Sequence, residues 1–157
     1  MATAGSIPGN QIVFIEQTSV TRYVALAGTA GGFPLPDASG SSDRHFVGLA
    51  LPGVTPVSAV IYYRTRHTGR PSFSVRINDA TLTQFTFTDA DPPERCWHEI
   101  IPASVASGAV LKPQNNELIF GIGIHNRGDS LIVGDVVIFY TSNQTTIEVP
   151  IVVASKA

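Results

Sequence analysis

The stretch from Glu117 to Tyr140 places the strongest constraint on the fold of this chain. In its first half, every second residue belongs to one set and the residues between them belong to another. One set is nearly bare of side chains because it contains Gly121 and Gly123, whereas the other is large and apolar and consists of Leu118, Phe120, Ile122 and Ile124. This alternation is typical of a β-strand with one buried face.

The second half of this stretch, from Leu131 to Tyr140, is apolar on both faces. That pattern predicts a strand covered from both sides, and the Gly134-Asp135 step within it predicts a bulge. The connecting Asn126-Arg127-Gly128-Asp129 segment favours a tight turn, so the whole stretch predicts a hairpin. Arg127-Gly128-Asp129 also spells a cell-adhesion tripeptide, although a tight turn alone favours the same residues.

Short apolar segments recur along the chain at spacings of roughly eight to twelve residues. The chain has 14 glycines and 11 prolines, which separate these segments as turn residues. It is 43% hydrophobic but only 14% charged. Segment 103–110 has the composition of at most one short helical turn. We therefore predict an all-β protein, an antiparallel β-sandwich or barrel with about nine or ten strands.

A chain of 157 residues fits a single domain spanning 1–157. We predict a flexible N-terminus over 1–10 and a long loop over 28–43, where glycine, proline and serine are frequent. Two strands, joined by a short link, are predicted within 11–27. Segment 143–157 is predicted to be a C-terminal edge strand or arm, because Pro150 cannot donate a ladder hydrogen bond.

The formal net charge is −2, with acidic and basic residues interspersed, so nucleic acid is not an expected partner. No apolar run approaches the ~20 residues of a membrane span, and the first ten residues lack signal-peptide features. We expect a soluble protein without a membrane partner, cytoplasmic by default, or secreted if the chain is a module excised from a longer one. Cys96 is the sole cysteine, which excludes an internal disulfide, and its apolar neighbours predict a buried, inert thiol.

Four short motifs follow one another between residues 57 and 140. They are Val75-Arg76-Ile77-Asn78, Trp97-His98-Glu99-Ile100-Ile101-Pro102, Asn115-Asn116-Glu117-Leu118-Ile119-Phe120 and Asp135-Val136-Val137-Ile138-Phe139-Tyr140. In this order they resemble the galactose-binding-like jelly roll shared by many carbohydrate-binding modules. The resemblance implies a jelly-roll β-sandwich, and it bears on the fold more than on the function. The chain departs from that pattern by an insertion at Ala106 to Ala109 and by continuing past Tyr140.

Modules of this family often hold a structural calcium ion between a carboxylate near the first strand and one near the last. Glu16 and Asp135 occupy the matching places, so the resemblance implies a structural Ca²⁺ and no other cofactor. Ca²⁺ requires six to eight oxygen ligands, many of them backbone carbonyls. The alternative is that Asp135 satisfies backbone donors at a bulge.

Two groups of residues are candidate ligand-binding sites. The first is Tyr62 with Arg64, Arg66 and Arg76, because an exposed ring and forked guanidinium donors from neighbouring strands could bind hydroxyls or a carboxylate. The second is His125 with Asn126 beside the glycine-bare face, where a ligand could approach closely. An ordinary solvated sheet face is the alternative for the first group. We predict that Trp97 belongs to the core.

Catalytic residues are not predicted, because the four histidines are scattered and no nucleophile motif is present. The leading hypothesis is a non-catalytic, lectin-like module that binds carbohydrate. The first alternative is a self-assembling structural or accessory subunit, a homo-oligomer formed through the C-terminal strand. The second alternative is a small β-barrel enzyme of lyase or cyclase type, which would need an enclosed pocket.

Overall fold

The computed structural model describes residues 2–7, 11–145 and 149–152, with side chains described over residues 19–143. This part of the chain forms thirteen strands and no helix. The strands are β1 (Ala2–Ile7), β2 (Gln11–Ala25), β3 (Phe33–Leu35), β4 (Asp43–Leu49), β5 (Ala59–Thr68), β6 (Ser72–Ile77), β7 (Ala80–Thr86), β8 (Glu94–Ile101), β9 (Ser104–Val105), β10 (Gly108–Ala109), β11 (Asn116–Gly123), β12 (Ser130–Thr145) and β13 (Val149–Val152).

Two antiparallel sheets pack face to face as a β-sandwich. The larger sheet has the order β1-β2-β12-β5-β8, with β13 paired to β2 and β3 paired to β12, and the smaller sheet has the order β4-β11-β6-β7. The two sheets therefore have the strand order of a jelly roll, in which the first strand lies beside the last. Its eight strands are β2, β4, β5, β6, β7, β8, β11 and β12. The prediction of an antiparallel jelly-roll sandwich is confirmed.

The core lies between the sheets and is built from the inward residues of each alternating strand. Trp97 is buried there as predicted, with its ring 6.0 Å from the Tyr63 ring and its indole Nε1 donating to Thr65 Oγ1 at 2.8 Å. The largest fully buried side chains are Tyr63, Phe87, Phe120, Leu35, Leu51, Ile61, Ile77, Ile101, Leu118, Leu131, Ile138 and Val75.

The motifs that carry the family resemblance have structural roles. Asn116 is fully buried; its amide donates to the Leu49 and Lys112 carbonyls and its Oδ1 accepts from Lys112 N and Asn78 Nδ2. Asn78 lies at the β6–β7 turn with a φ of 49°, a left-handed conformation that asparagine tolerates. These asparagines satisfy the buried backbone groups of the loops at one end of the sandwich.

The two strands of the Glu117–Tyr140 stretch form as predicted, but the hairpin prediction is wrong. β11 pairs with β4 and β6 in the smaller sheet, whereas β12 pairs with β2, β3 and β5 in the larger one. The outer face of β12 is also only partly covered, since Phe139 and Ile132 are exposed at its surface. The predicted bulge is confirmed by the register shift between Gly134 and Val137 and by a φ of 52° at Asp135.

Two element predictions differ from the structure for local reasons. The two strands expected in 11–27 form one continuous β2, because residues 17–21 of the supposed link pair with residues 141–145 of β12. The expected helical turn in 103–110 is the β9–β10 hairpin. Its Gly108 has a φ of 122°, which a helix cannot accommodate.

The terminal and loop segments contain additional strands. A flexible N-terminus was expected over 1–10, whereas Ala2–Ile7 form β1; the long loop over 28–43 contains β3. In the C-terminal segment, β13 contains Pro150 and, among the described strands, pairs with β2. Residues 146–148 and 153–157 of that segment lie outside the described residues. In the part of the chain that is described, we find no helix with the length and apolarity to cross a membrane.

Candidate functional site

The predicted binding residues lie on two opposite outer faces of the sandwich. Tyr62, Arg64 and Arg66 are on β5 of the larger sheet, whereas Arg76 is on β6 of the smaller sheet. The expectation that the three arginines project together is wrong, because the connection between β5 and β6 crosses from one sheet to the other. His125 follows β11, at the end of the smaller sheet.

On the larger sheet, Arg64 is held by two carboxylates rather than being available to a ligand. Its guanidinium lies 2.9 Å from Glu94 Oε1 and 2.9 Å from Asp135 Oδ2. The crevice beside Arg64 and the exposed Arg66 has a volume of about 20 Å³, which is enough for a single water molecule. This group of residues therefore provides an ion-paired surface but no cavity for a sugar.

Cys96 is exposed on the same outer face, so the prediction of a buried thiol is wrong. β8 has an inward residue at Trp97, and the alternation of a strand turns Cys96 and His98 outward. The Tyr62 hydroxyl donates to Cys96 Sγ at 3.4 Å, and this bond, together with partial burial, raises the pKa of the Tyr62 phenol. The Tyr62 and His98 rings lie 5.0 Å apart.

The structure does not bring Glu16 and Asp135 together. Val137 lies opposite Ala25 on β2, and Glu16 is nine residues before Ala25, which corresponds to about 30 Å along a strand. The side chain of Glu16 lies outside the described residues, and Asp135 is ion-paired with Arg64. No group of three His, Cys, Asp or Glu that could hold a metal ion occurs among the described residues. The residues present therefore do not fit the calcium site that the resemblance implies.

The outer face of the smaller sheet contains an open groove of about 280 Å³. Asp43, Gly121, Ser74 and Gln84 lie directly opposite one another across β4, β11, β6 and β7, and form one row of the groove. Gly123, Ser72 and Thr86 form the adjacent row. Arg76 lies two residues beyond Ser74 on the same face of β6, so it stands at the margin of the groove.

The two glycines form the floor of this groove, hereafter the glycine groove. A Cβ atom added at Gly121 would lie 2.7 Å from Asp43 Oδ1 and 3.1 Å from Ser74 Oγ, and one added at Gly123 would collide with Ser72 Oγ. The absence of both Cβ atoms lets the polar side chains lean over the backbone. The glycine-bare face was visible in the sequence, whereas Asp43, Ser72, Ser74 and Gln84 were missed because they resemble any solvated outer-face residues.

His125 stands beside the glycine groove, with its Nε2 3.1 Å from Ser72 Oγ. Among the described hydrogen bonds of the His125 ring, none joins its second nitrogen to a carboxylate. Such a carboxylate would orient a histidine that activates a serine nucleophile. The Ser72 hydroxyl and the exposed His125 ring therefore place polar atoms at this end of the groove. Asn126 is exposed in the loop that follows, and its backbone N–H donates to Asp129 Oδ2 at 2.9 Å.

Asp129, the third residue of the adhesion tripeptide, is buried rather than displayed. Its carboxylate accepts hydrogen bonds from the backbone N–H groups of Arg70, His125 and Asn126 at 3.0, 3.0 and 2.9 Å. These bonds lower the pKa of the Asp129 carboxyl, and the bond from Arg70 has the largest effect. The carboxylate ties two loops together beside the glycine groove, so it is unavailable to an adhesion receptor.

Comparison with protein-family models and with curated proteins finds no match for this chain.

Proposed function

We propose that the protein is a non-catalytic carbohydrate-binding module whose ligand site is the glycine groove. The observation that carries this proposal is the row Asp43, Gly121, Ser74 and Gln84, in which polar side chains surround a floor without side chains. Hydroxyl and amide groups both donate and accept hydrogen bonds, as do the vicinal hydroxyls of a sugar.

The size and charge of the glycine groove define the expected ligand. Its volume of about 280 Å³ lies at the lower end of small-molecule sites and suits one or two sugar residues. Asp43 is the charged residue that lines it, so a uronate placed there would be repelled. We expect neutral sugars to bind in preference to acidic ones.

Affinity electrophoresis on a panel of neutral and acidic polysaccharides tests this proposal. Retardation by a neutral polysaccharide is expected for the wild type, and Gln84→Ala should weaken binding about tenfold through one lost hydrogen-bonding group. Arg66→Ala, on the opposite face, is the matched control and should bind as the wild type does. Absence of retardation on every polysaccharide, or equal loss in the control, would contradict the proposal.

Gly121→Ala is the sharper variant because it fills the floor without removing a polar group. The atoms that the new methyl group would meet belong to the flexible ends of Asp43 and Ser74, so the cost in folding free energy should stay below about 1 kcal/mol. Ligand binding should nevertheless fall by about tenfold or more, because the added methyl group displaces the Asp43 and Ser74 side chains that line the floor of the groove. Unchanged affinity in a folded Gly121→Ala protein would place the ligand elsewhere.

A further inference from the structure

A row of exposed apolar side chains crosses the outer face of the larger sheet. Tyr23, Phe139, Val60 and Ile100 lie directly opposite one another on β2, β12, β5 and β8. Their side chains are 70%, 41%, 36% and 70% exposed. We call these four residues the apolar row. Contiguous exposed apolar patches of a few hundred Å² are often functional surfaces.

A second row lies beside the first and is apolar except for the imidazole of His98 and the hydroxyl of Tyr62. Ala25, Val137, Tyr62 and His98 occupy the same four strands in the same order. Beyond it, Arg64 on β5 and Asp135 on β12 form the ion pair already described. The face is therefore mostly apolar over two rows and bounded by charge at one end.

We propose that this face is the interface of a two-fold homodimer in which the larger sheets of two copies pack against each other. A two-fold axis parallel to the strands and passing between β12 and β5 places β12 of one copy over β5 of the second. The same axis places β2 over β8. Two sheets packed in this way have nearly aligned strands, which is a common geometry for twisted sheets.

The order of residues in both rows is complementary under this symmetry. Tyr23 of one copy lies over Ile100 of the second copy, and Phe139 lies over Val60. In the second row, Val137 lies over Tyr62. Every aromatic ring in these contacts therefore meets an aliphatic side chain, so large and small residues alternate across the interface.

The charges at the end of the face are complementary under the same symmetry. Because β12 lies over β5, Asp135 of one copy faces Arg64 of the second copy. By the same symmetry, Arg64 of the first copy faces Asp135 of the second. The two Arg64–Asp135 pairs thus place charges of alternating sign around the axis, with Glu94 of the same copy also bonded to each Arg64. A random partner would have to supply this arrangement independently, whereas a second copy supplies it by symmetry.

The area available is close to the lower limit for a specific dimer interface. From its exposed fractions, the apolar row offers on the order of 400 Å² per copy, or about 800 Å² for two copies. The second row and the surrounding polar residues add to this area. The total approaches the lower limit of about 1,200 Å² for a specific interface, so we expect a reversible, concentration-dependent dimer.

Sedimentation equilibrium of the full chain over a wide concentration range tests this proposal. The wild type should move from the monomer mass of 16.7 kDa to twice that mass. Phe139→Lys and Val60→Glu should each raise the dimer dissociation constant roughly 30-fold or more. The protein with both substitutions should dimerise more tightly than either single variant, because each introduced lysine then faces an introduced glutamate of the second copy as well as the one opposite it on its own chain.

Val47→Lys is the matched control, because Val47 is 69% exposed on β4 of the smaller sheet. It should dimerise like the wild type, and circular dichroism of each variant establishes that it is folded. Ile100→Lys, at the exposed edge strand, is a second probe if either central variant fails to fold. A wild type that stays monomeric overturns the proposal and would indicate a different partner. A dimer insensitive to Phe139→Lys overturns it too, as does a double variant that dimerises no more tightly than the single variants.

Discussion

Asp129 illustrates how one carboxylate fixes the loops beside the glycine groove. It accepts three backbone N–H bonds and contacts Gly69, whose φ of 74° and close approach to Asp129 leave no space for a side chain. The sequence could indicate a turn here, since Arg127-Gly128-Asp129 is a turn-forming triplet. It could not indicate that Asp129 is bonded to Arg70, because that bond joins loops distant in the chain.

We expect Asp129 to make the stability of the fold depend on pH in the acid range. Its pKa is lowered in the folded state, so its stabilisation is fully present above the unfolded-state value of about 3.9 and is lost as the pH falls through the lower folded-state value. Asp129→Asn should lower the free energy of unfolding at neutral pH, and the difference from the wild type should shrink below about pH 4.

Urea denaturation of both proteins at a series of pH values measures this difference. Comparison with the Asp129→Asn protein removes the effect of the other acidic residues. Among those that the structure describes, Asp37, Asp89 and Asp91 also have lowered pKa values. A difference that stays constant down to the lowest pH would show that the carboxylate charge is not the stabilising feature.

The remaining residue predictions show what alternation can and cannot determine. Trp97 was correctly assigned to the core, whereas its neighbour Cys96 was wrongly assigned there because it shares the same apolar run. A strand has two faces, so both neighbours of an inward tryptophan must point outward. The position of β8 at the edge of its sheet then leaves Cys96 exposed.

At the scale of elements, the bulge in β12 connects the strand pairing to the charged end of the larger sheet. The one extra residue between Gly134 and Val137 goes with the turn of Asp135 toward Arg64. The sequence predicted the bulge from the Gly134-Asp135 step and predicted most of the strands from their period. It could not predict which strands pair, because the connections after β5 and β11 lead to the opposite sheet. A short turn sequence looks the same whether it joins two paired strands or crosses between sheets.

Substitutions at Asp135 should separate the backbone conformation of the bulge from its ion pair. Asp135→Asn should be nearly neutral for folding, because asparagine tolerates the φ of 52° and the exposed ion pair contributes at most about 1 kcal/mol. Asp135→Val should cost about 1–3 kcal/mol, since a β-branched residue is strained in that conformation. Thermal unfolding of the two variants makes the comparison, and equal costs would indicate that the ion pair dominates.

At the scale of the whole molecule, the jelly roll joins the first part of the chain to the last. Thr145 of β12 pairs with Gln17 of β2, and β12 occupies the centre of the larger sheet. The sequence predicted the sandwich, and it indicated the glycine-bare face as a candidate site. It could not reveal that Arg76 and Arg64 lie on opposite faces, because face assignment requires knowing the sheet of each strand.

This topology predicts slow folding. Because the central pairings join residues far apart in sequence, the chain should fold in milliseconds to seconds rather than microseconds. Trp97, the only tryptophan, reports on core formation because it is buried between the sheets. Stopped-flow refolding followed by its fluorescence measures the rate, and complete recovery within the dead time would contradict the expectation.

The placement of the glycine groove and the apolar row on opposite faces has a consequence for avidity. In the proposed dimer, the smaller sheets are the outermost layers, so the two grooves point in opposite directions. Such a dimer could not place both sites on one flat surface or one short oligosaccharide. It would instead link two separate glycan chains, and the expected macroscopic behaviour is agglutination or gelling of a polymer rather than tighter attachment to a single one.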